Sequence, residues 1–253
     1  MTDIVFARPR HEYDSYRDLW RLVELSGFPL IYADEIDAAD VTKTFIYSGP
    51  DAALSWPGAK AQIIYYMIEW YTDYEQREGV ADTWHPDAMF ASRIGARYIP
   101  LGSHPDLAQP FSYCPKEYDI IHLQYIVPRR NDVLYRLHFH HAVKIAPGGW
   151  GDERHEQLLK SRAMLHVHQH EDIPALAPLR AALAAAYHMP VFSEQHWEVP
   201  HLPAGVILSG SHQELPGLIK AKLGRDGLND HGEWLHRVLC DEYRFDKVIG
   251  ASV

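Results

Sequence analysis

The stretch of residues 160–194, KSRAMLHVHQHEDIPALAPLRAALAAAYHMPVFSE, constrains the fold more than any other part of the chain. Residues 164–168 predict a short buried strand, and the polar residues after it predict a turn. Residues 176–187 are rich in Ala, Leu and Arg, which favour a helix. Pro190 ends that helix because proline cannot continue it, and a second strand opens at Val191. A strand, a helix and a strand in this order form one βαβ unit of a parallel sheet.

The start of this predicted helix is suited to anion binding. Asp172 is a candidate N-cap, and Pro174 lies in the first turn, where a missing N–H costs nothing. A helix that starts near Ile173 presents free N–H groups and a partial positive charge. Arg180, about two turns into the helix, is a candidate phosphate ligand, with a solvated arginine as the alternative.

Strand and helix patterns also alternate along the rest of the chain, which predicts an α/β fold. Residues 104–117 contain three prolines and no periodicity, so we interpret them as a linker. We therefore predict two Rossmann-like halves facing a cleft, with an N-terminal domain of residues 1–110 and a C-terminal domain of residues 117–253. The final helix is expected over residues 232–248.

Composition limits the class of protein. The chain has 253 residues, 47% hydrophobic and 23% charged, which is an ordinary soluble mixture. A formal net charge of −10 argues against a general nucleic-acid-coating surface. Cys114 and Cys240 provide neither a disulfide framework nor zinc spacing. The N-terminal residues lack the apolar run of a signal peptide, and no stretch has the length of a membrane span. We expect a soluble, cytoplasmic protein.

Histidines are concentrated in two short segments, LHFHHAV and LHVHQHED, and alternate histidines on a strand can share a metal. The HExxH pattern and cysteine partners are missing, so we favour a protein without a bound metal. His168 is interpreted as a polar group at the end of a strand, donating to a phosphate or a sugar hydroxyl, with a structural histidine as the alternative. The histidines in these segments are His138, His140, His141, His166, His168 and His170.

Several short motifs stand in an order that resembles one enzyme family. The motifs are YDII at 118–121, PRR at 128–130, WGDER at 150–154, LLKS at 158–161 and the stretch 160–194. Together they resemble the nucleotide-sugar half of GT-B glycosyltransferases, especially the bacterial spore-maturation-type branch. The resemblance covers roughly residues 117–195.

This resemblance implies a glycosyltransferase that moves a sugar from a nucleotide-diphosphate donor to a hydroxyl-bearing acceptor. The donor, for which a UDP-sugar is our guess, would bind the second half, and no metal or separate cofactor would be needed. The acceptor, which would bind the first half, could be a small molecule, a protein or a modified nucleic acid base. The terminal helix of such enzymes often crosses back to the first domain.

The resemblance also implies donor-binding residues. Basic side chains after the first strand of the second half would neutralise the diphosphate, and a carboxylate at a strand end would accept ribose hydroxyl bonds. An indole in the loop before residue 151 would stack on a base or cap the core. Tyr125 and Ile126 stand where many relatives have Gly-Ser, so the usual phosphate loop is missing. The candidates are Arg129, Arg130, Trp150, His168, Gln169, Arg180 and Glu194.

Loops at the strand ends of the first half are candidates for the acceptor side. His11 and Glu69 are the candidate catalytic bases, since an inverting enzyme needs a group that takes the proton of the acceptor hydroxyl. For each of them a structural role is the alternative. The other acceptor-side candidates are Arg8, Arg10, Ser103 and His104.

Two further functions remain compatible with the sequence. A non-catalytic nucleotide-binding or scaffold protein with a decayed GT-B fold would explain the missing phosphate loop. A metal-dependent hydrolase would use the histidines.

Overall fold

The chain folds into two α/β units. The computed structural model describes residues 3–11, 13–50, 54–70, 75, 77–108, 114–147 and 151–253. One unit comprises Met1–Gly102 with Arg244–Val253, and the other comprises Ser103–Tyr243. The division after Gly102 precedes residues 104–117, where the sequence places the linker.

The first unit is built on a six-stranded parallel sheet of order β2-β1-β3-β4-β5-β6. Its strands are β1 (Asp3–Arg8), β2 (Leu30–Tyr32), β3 (Lys43–Tyr47), β4 (Gln62–Tyr66), β5 (Asp82–His85) and β6 (Arg97–Tyr98). Its helices are α1 (Arg17–Leu25), α2 (Ala88–Ile94) and α8 (Phe245–Ser252). Because β1 pairs with both β2 and β3, the direction in which strands are added reverses at β1.

Apolar packing ties the C-terminal helix into this unit. The ring centroids of Phe6 and Phe245 lie 5.7 Å apart, and Phe28 lies 5.3 Å from Phe6 and 6.3 Å from Phe245. Phe6 lies in β1, Phe28 in the loop between α1 and β2, and Phe245 in α8. Helix α1 buries Leu19 and Leu22 completely, as the apolar spacing of its sequence requires.

The second unit contains a five-stranded parallel sheet of order β11-β10-β9-β7-β8. Its strands are β7 (Tyr118–His122), β8 (Val143–Ile145), β9 (Ser161–His166), β10 (Val191–Glu194) and β11 (Leu208–Gly210). Its helices are α3 (Pro128–His138), α4 (Asp152–Leu159), α5 (Pro178–Ala186), α6 (Leu215–Lys222) and α7 (Leu228–His236). Strand β7 pairs with β8 and β9, so the order reverses at β7 as it does at β1.

Helix α5 begins later than the sequence predicts. Asp172 does not cap it, and the helix starts at Pro178 after an extended Ala177 with ψ of 107°. A residue before proline disfavours the helical conformation, and proline itself suits the first helical position. The second proline of the stretch, rather than Pro174, therefore marks the start. The predicted phosphate-binding helix start near Ile173 is wrong for this reason.

The prediction of one continuous terminal helix over residues 232–248 is also wrong. The structure has α7, a π-helix over Arg237–Glu242, and then α8. Arg244 interrupts the helix with an extended ψ of 137°, and its guanidinium binds the Asp246 carboxylate through two contacts of 2.6 Å.

Two separate parallel sheets confirm the predicted two-part Rossmann-like α/β fold. Within the described residues, no helix combines the length and the apolar character needed to cross a membrane.

Candidate functional site

The reversal of strand order in the second sheet marks where a ligand is expected. In open α/β sheets, ligands bind beyond the carboxyl ends of the strands near such a reversal. A cavity of about 460 Å³ lies at this edge of the second unit. Its walls come from the start of α3 and from the segments that follow β9, β10 and β11. Six of the lining residues are Arg129, His168, Glu171, Glu194, Trp197 and His212.

Glu194 is the last residue of β10 and is only 4% exposed. Its carboxylate forms an ion pair with Arg129 and accepts a hydrogen bond from the His168 backbone N–H at 3.2 Å. The Nδ1 atom of His212 lies 3.4 Å from the same carboxylate. A buried carboxylate is costly unless it is paired and hydrogen-bonded, and these contacts provide that compensation.

Arg129 is the second residue of α3, where Pro128 occupies the first helical position. One arm of its guanidinium pairs with the buried Glu194 and the other with the exposed Glu171. The planar guanidinium fork suits carboxylate or phosphate oxygens equally. In this structure both arms hold carboxylates, so the charge of Arg129 is already balanced.

His212 follows β11 and was not predicted as a site residue. Its Nε2 lies 3.1 Å from the Asp132 carboxylate, and its Nδ1 faces Glu194. The imidazole therefore contacts an exposed carboxylate on α3 through Nε2 and lies beside the buried carboxylate on β10. Its place just beyond the end of a strand was the available signal, but β11 is three residues long and the sequence pattern there is weak.

His168 lies two residues beyond β9 and is 3% exposed. Its Nε2 is 2.8 Å from the Gln195 carbonyl oxygen, which can only accept a hydrogen bond. Burial lowers the pKa of His168, although the Gln195 carbonyl and Glu194 partly oppose that change. The predicted role of this ring as a donor to phosphate is corrected, because its N–H already donates to Gln195.

A layer of buried polar groups lies below these residues. Burial, with the charges of Arg130 and Arg180, lowers the pKa of His122 to about 3. The pKa of His166 is lowered well below its usual value, first by burial and then by His168 and Arg180. Both rings are therefore neutral at physiological pH.

Arg130 is buried and holds two loops together. Its guanidinium donates to the Val167 and Tyr125 carbonyl oxygens at 2.9 Å each. Burial lowers the pKa of Arg130 to about 10.

Arg180 is the third residue of α5 and is half-buried. Its charge contributes to the lowered pKa values of two histidines, which locates it near the buried layer.

Three other predictions concern the second unit. Gln169 is exposed beside the cavity loop, and Trp150 lies outside the described residues. Among the residues that the structure describes, no three His, Cys, Asp or Glu side chains are grouped so that they could hold a metal ion.

The structure also locates the acceptor-side candidates of the first unit. Arg10 pairs with Asp34 at 2.7 Å and with Glu35 at 3.4 Å, and its guanidinium lies 4.5 Å from the Tyr32 ring centroid. Arg8 lies over the same ring at 5.2 Å. These contacts hold both arginines against β2 and the turn that follows it.

The two candidate bases differ in exposure. His11 is exposed, with its ring 4.5 Å from that of Tyr13. Glu69 follows β4 and is half-buried. It also neighbours His85, whose pKa burial lowers to about 4 while backbone bonds at Asp87 and Glu69 oppose that shift.

Ser103 and His104 were predicted on the first half, and this is corrected because they belong to the second unit. The Ser103 hydroxyl donates to the Ala182 carbonyl of α5 at 2.7 Å, and its N–H donates to the Leu239 carbonyl at 2.9 Å. The Nδ1 of His104 accepts from the Asp106 N–H at 3.2 Å and caps a short 3₁₀ helix. The chain therefore enters the second unit before its proline-rich segment.

Comparison with known proteins gives structural matches only. No family model matches the sequence, and no curated protein matches it. The structure of AviGT4, a glycosyltransferase involved in avilamycin A biosynthesis, matches with a TM-score of 0.62 at 12% identity and covers 98% of each chain. The DNA-modifying enzyme β-glucosyltransferase, solved with and without its substrate uridine diphosphoglucose, matches with a TM-score of 0.57 at 12% identity over 98% of this chain and 97% of that one.

TarM matches with a TM-score of 0.58 at 10% identity, over 87% of this chain. The chain spans 55% of the length of TarM. At such identities the likeness concerns the fold, and both the family and its branch stay predictions. The chain has the two-domain Rossmann-like α/β fold that its structural neighbours among the GT-B glycosyltransferases share.

Proposed function

We propose that this protein is a glycosyltransferase that moves a sugar from a nucleotide-diphosphate donor to a hydroxyl-bearing acceptor. The donor, a UDP-sugar in this proposal, binds the cavity of the second unit and needs no separate cofactor. The acceptor binds the strand-end loops of the first unit near His11 and Glu69. Either side chain can take the proton of the acceptor hydroxyl.

One observation carries this proposal. The cavity beyond β9 and β10 combines an arginine at a helix start, a carboxylate at a strand end and a buried histidine. Two of these, Arg129 and Glu194, belong to different motifs of the sequence resemblance and are 65 residues apart in the chain. The fold brings them into direct contact at the edge where nucleotide-binding folds hold their ligands.

The chemistry of sugar transfer explains why such groups are needed. The bond between the sugar and the diphosphate breaks as negative charge grows on the leaving phosphate, and a preorganised cation stabilises that charge. Arg129 can supply two parallel hydrogen bonds. The likeness to a β-glucosyltransferase that takes uridine diphosphoglucose supports the choice of donor class.

A donor turnover assay tests the proposal. UDP-glucose, UDP-galactose and UDP-N-acetylglucosamine are incubated with the protein, and released UDP is measured without acceptor and with sugar, peptide and modified-DNA acceptors. We expect slow hydrolysis without acceptor and faster UDP release with the correct one. Arg129→Ala should lose this activity, whereas Arg21→Ala, an exposed arginine of α1, should keep it. No UDP release from any donor by the wild-type protein would contradict the proposal.

The contacts of Arg129 favour a second candidate function, that of a non-catalytic nucleotide-binding protein. Both arms of its guanidinium hold carboxylates, and the loop before α3 carries the exposed Tyr125 in place of a glycine-rich phosphate loop. A non-catalytic nucleotide-binding protein could tolerate this arrangement. It would bind UDP in calorimetric titration and release none from UDP-sugars.

A further inference from the structure

The ring of His212 has a carboxylate beside each of its two nitrogens. Its Nε2 lies 3.1 Å from Oδ2 of Asp132, on α3, and its Nδ1 lies 3.4 Å from Oε1 of Glu194, at the end of β10. The two carboxylates differ in environment, because the Asp132 side chain is 57% exposed and that of Glu194 is 5% exposed. The protonation of this one ring therefore affects how well the buried carboxylate is compensated.

The neutral form of His212 suits only one of the two carboxylates. A carboxylate only accepts hydrogen bonds, so the contact with Asp132 requires the hydrogen on Nε2. A neutral imidazole carries one N–H, and Nδ1 then directs a lone pair towards the Glu194 oxygen. Nδ1 is buried and has no hydrogen-bond partner among the described residues. A proton added to Nδ1 converts this contact between two acceptors into a charge-assisted hydrogen bond.

In this structure Arg129 supplies the positive charge that the buried Glu194 requires. Its guanidinium contacts Oε1, the same oxygen that faces His212. When a diphosphate binds Arg129, this arm of the guanidinium leaves the carboxylate. Within the described residues, Glu194 then keeps the hydrogen bond from the His168 backbone N–H, and a buried carboxylate that has lost its cation is strongly destabilising. The Nδ1 atom of His212 already lies beside the oxygen that loses its partner.

The charges around His212 favour the gain of a proton. The charged side chains there are two arginines and four carboxylates: Arg129, Arg136, Asp132, Glu171, Glu194 and Glu214. The other titratable groups of the cavity are His168 and His196. Negative charges thus outnumber positive ones before a ligand is present. A diphosphate adds further negative charge, so a proton taken up beside it lowers the electrostatic cost of binding.

We propose that His212 is a positioning residue that gains a proton when a nucleoside diphosphate binds. Its Nδ1 takes the proton from solvent and donates it in a hydrogen bond to Glu194, which releases Arg129 to bind the phosphates. His212 itself needs no contact with the ligand. This inference rests on the proposed binding of a nucleoside diphosphate to Arg129.

Calorimetric titration with UDP at about pH 7.5 tests the proposal. Titrations in Hepes and in Tris, which differ in ionisation enthalpy, give the number of protons exchanged. We expect uptake of about half a proton to one proton per UDP bound, since histidine titrates near neutral pH. The phosphate of UDP cannot imitate this result, because binding to an arginine favours its ionised form and releases any residual proton. Uridine, which has no phosphate to draw Arg129 away, should bind without uptake.

Proton uptake also determines the sign of the pH dependence. Because the complex holds more protons than the free protein, the affinity for UDP should fall as pH rises above neutrality, by up to about tenfold per pH unit. The affinity for uridine should stay constant over the same range. An affinity for UDP that rises with pH would contradict the proposal.

Two substitutions of His212 separate the proton from the hydrogen bond. The side-chain amide of His212→Asn can stand close to the position of Nδ1 and donate to Glu194 without gaining a proton. Its UDP affinity should stay within about threefold of the wild type, and proton uptake should disappear. His212→Phe offers no donor, so it should bind UDP about tenfold more weakly or worse, also without uptake.

The matched control is His138→Gln, since His138 is an exposed histidine of α3. This variant should keep the full proton uptake and the wild-type affinity for UDP. A merely structural role for His212 would weaken binding of UDP and uridine alike in the His212 variants and leave the number of protons unchanged.

Nitrogen-15 NMR of the wild-type protein follows the His212 ring without any substitution, and it decides the question even if a variant fails to fold. We expect a hydrogen on Nε2 alone in the free protein and on both nitrogens in the UDP complex. A ring that is doubly protonated before UDP is added, or still singly protonated afterwards, overturns the inference.

The two proposals fail in different ways. If UDP, GDP, ADP and dTDP all fail to bind, the proposed function is contradicted and this inference falls with it. If only another of the four binds, the same titrations are made with that nucleotide. Binding without proton uptake overturns the inference alone. Uptake that persists in both His212 variants would assign the proton to another group and would also overturn it.

Discussion

The two units have the same strand arrangement, but different kinds of side chain occupy the carboxyl edges of their sheets. In each sheet the first strand pairs with the second and third, and the later strands follow on one side. In the first unit, aromatic rings fill the edge: Tyr47 stacks on Tyr65 at 5.8 Å, and Trp56 lies 5.7 Å from Tyr47. Arg77 covers the Tyr65 ring at 3.8 Å.

The second unit has a cavity with ionic groups at the equivalent edge. Glu194 and Arg130 are buried there together with three histidines. Buried ionisable groups cost folding free energy and therefore tend to cluster where chemistry or binding requires them. The shared sheet therefore determines where a site can form, while the side chains at strand ends determine whether one does.

Of the changes considered, acidification should produce the largest difference in stability between the two units. A histidine with a lowered folded pKa contributes stability that is complete above about pH 6.5 and is lost as pH falls towards the folded pKa. In the second unit the pKa values of His122 and His201 are lowered to about 3 and about 4. In the first unit His85 has a pKa of about 4.

Each of these histidines should reduce the free energy of unfolding by about 1.4 kcal/mol per pH unit below pH 6.5. The urea midpoint of the second unit should therefore fall more than that of the first between pH 7 and pH 4.5, as measured by pulsed hydrogen exchange. His122→Gln should flatten the pH dependence of the second unit, and the exposed His138→Gln should not. Equal acid sensitivity in the two units would contradict the comparison.

Two glycines, one in each unit, lie so close to a carbonyl oxygen that replacement by alanine should destabilise only the unit that contains the substitution. A Cβ on Gly232 would stand 2.1 Å from the His188 carbonyl oxygen, in the second unit. On Gly79, with φ of +78°, it would stand 1.9 Å from the Trp56 carbonyl oxygen, in the first unit. Because backbone atoms cannot move aside cheaply, each change to Ala should cost about 2–4 kcal/mol.

The matched control is Gly217→Ala, which lies in α6 with open space around the added carbon. Alanine is the better helix residue, so this change should stabilise the second unit by about 0.5–1 kcal/mol. Urea denaturation monitored by peptide-level hydrogen exchange measures each unit separately. Losses of similar size in all three variants would show that crowding is not the cause.

Most of the strands, and the edge of the second sheet at which Glu194 lies, were predictable from the sequence. Apolar runs between turns identify buried parallel strands. Glu194 ends one of these strands, and Arg129 lies at the start of the helix that follows another. The continuity of the last helix was not predictable, because apolar residues such as Leu235, Val238 and Phe245 keep a helical spacing across the break at Arg244. The spacing of apolar residues indicates which face of a helix is buried. It does not show whether that face belongs to one continuous helix or to two successive helices.

Contacts between distant side chains were also beyond the sequence. The pairing of Arg129 with Glu171 and Glu194, and the position of His212 beside Glu194, depend on loops that are far apart in the sequence and that the folded sheet brings together. The direction of a histidine hydrogen bond depends on a single carbonyl, that of Gln195. Residue spacing carries no information about either.

Nucleotide binding should distinguish two arginines that the sequence treats alike. Of the described residues, Arg129 lines the cavity, whereas Arg180 does not and lies near the buried histidines. Because a charge-assisted bond is worth about 1.5–3 kcal/mol, Arg129→Ala should weaken UDP binding tenfold or more and Arg180→Ala should weaken it less. Uridine, which has no phosphate, should bind all three proteins similarly. A larger effect at Arg180 would move the diphosphate towards α5.

Glu171 should have the smallest effect, and its sign is the informative part. Its side chain is 82% exposed, yet its carboxylate holds one arm of Arg129. A diphosphate that binds Arg129 must displace this carboxylate and must also approach its negative charge. Glu171→Gln removes the charge, and the amide competes less well for the guanidinium.

The expected result is therefore tighter binding of UDP by about two- to fivefold in Glu171→Gln, since an exposed ion pair is worth about 0.2–1 kcal/mol. Raising the salt concentration should reduce the difference between variant and wild type, because the displaced pair is exposed to solvent. Glu156→Gln, an exposed carboxylate of α4 paired with Lys160 at 2.8 Å, is the matched control and should leave the affinity unchanged. Calorimetric titration of the three proteins measures the effect. Weaker UDP binding in Glu171→Gln would mean that this carboxylate orients Arg129 for the ligand, and the carboxylate would then be part of the site instead of a competitor for it.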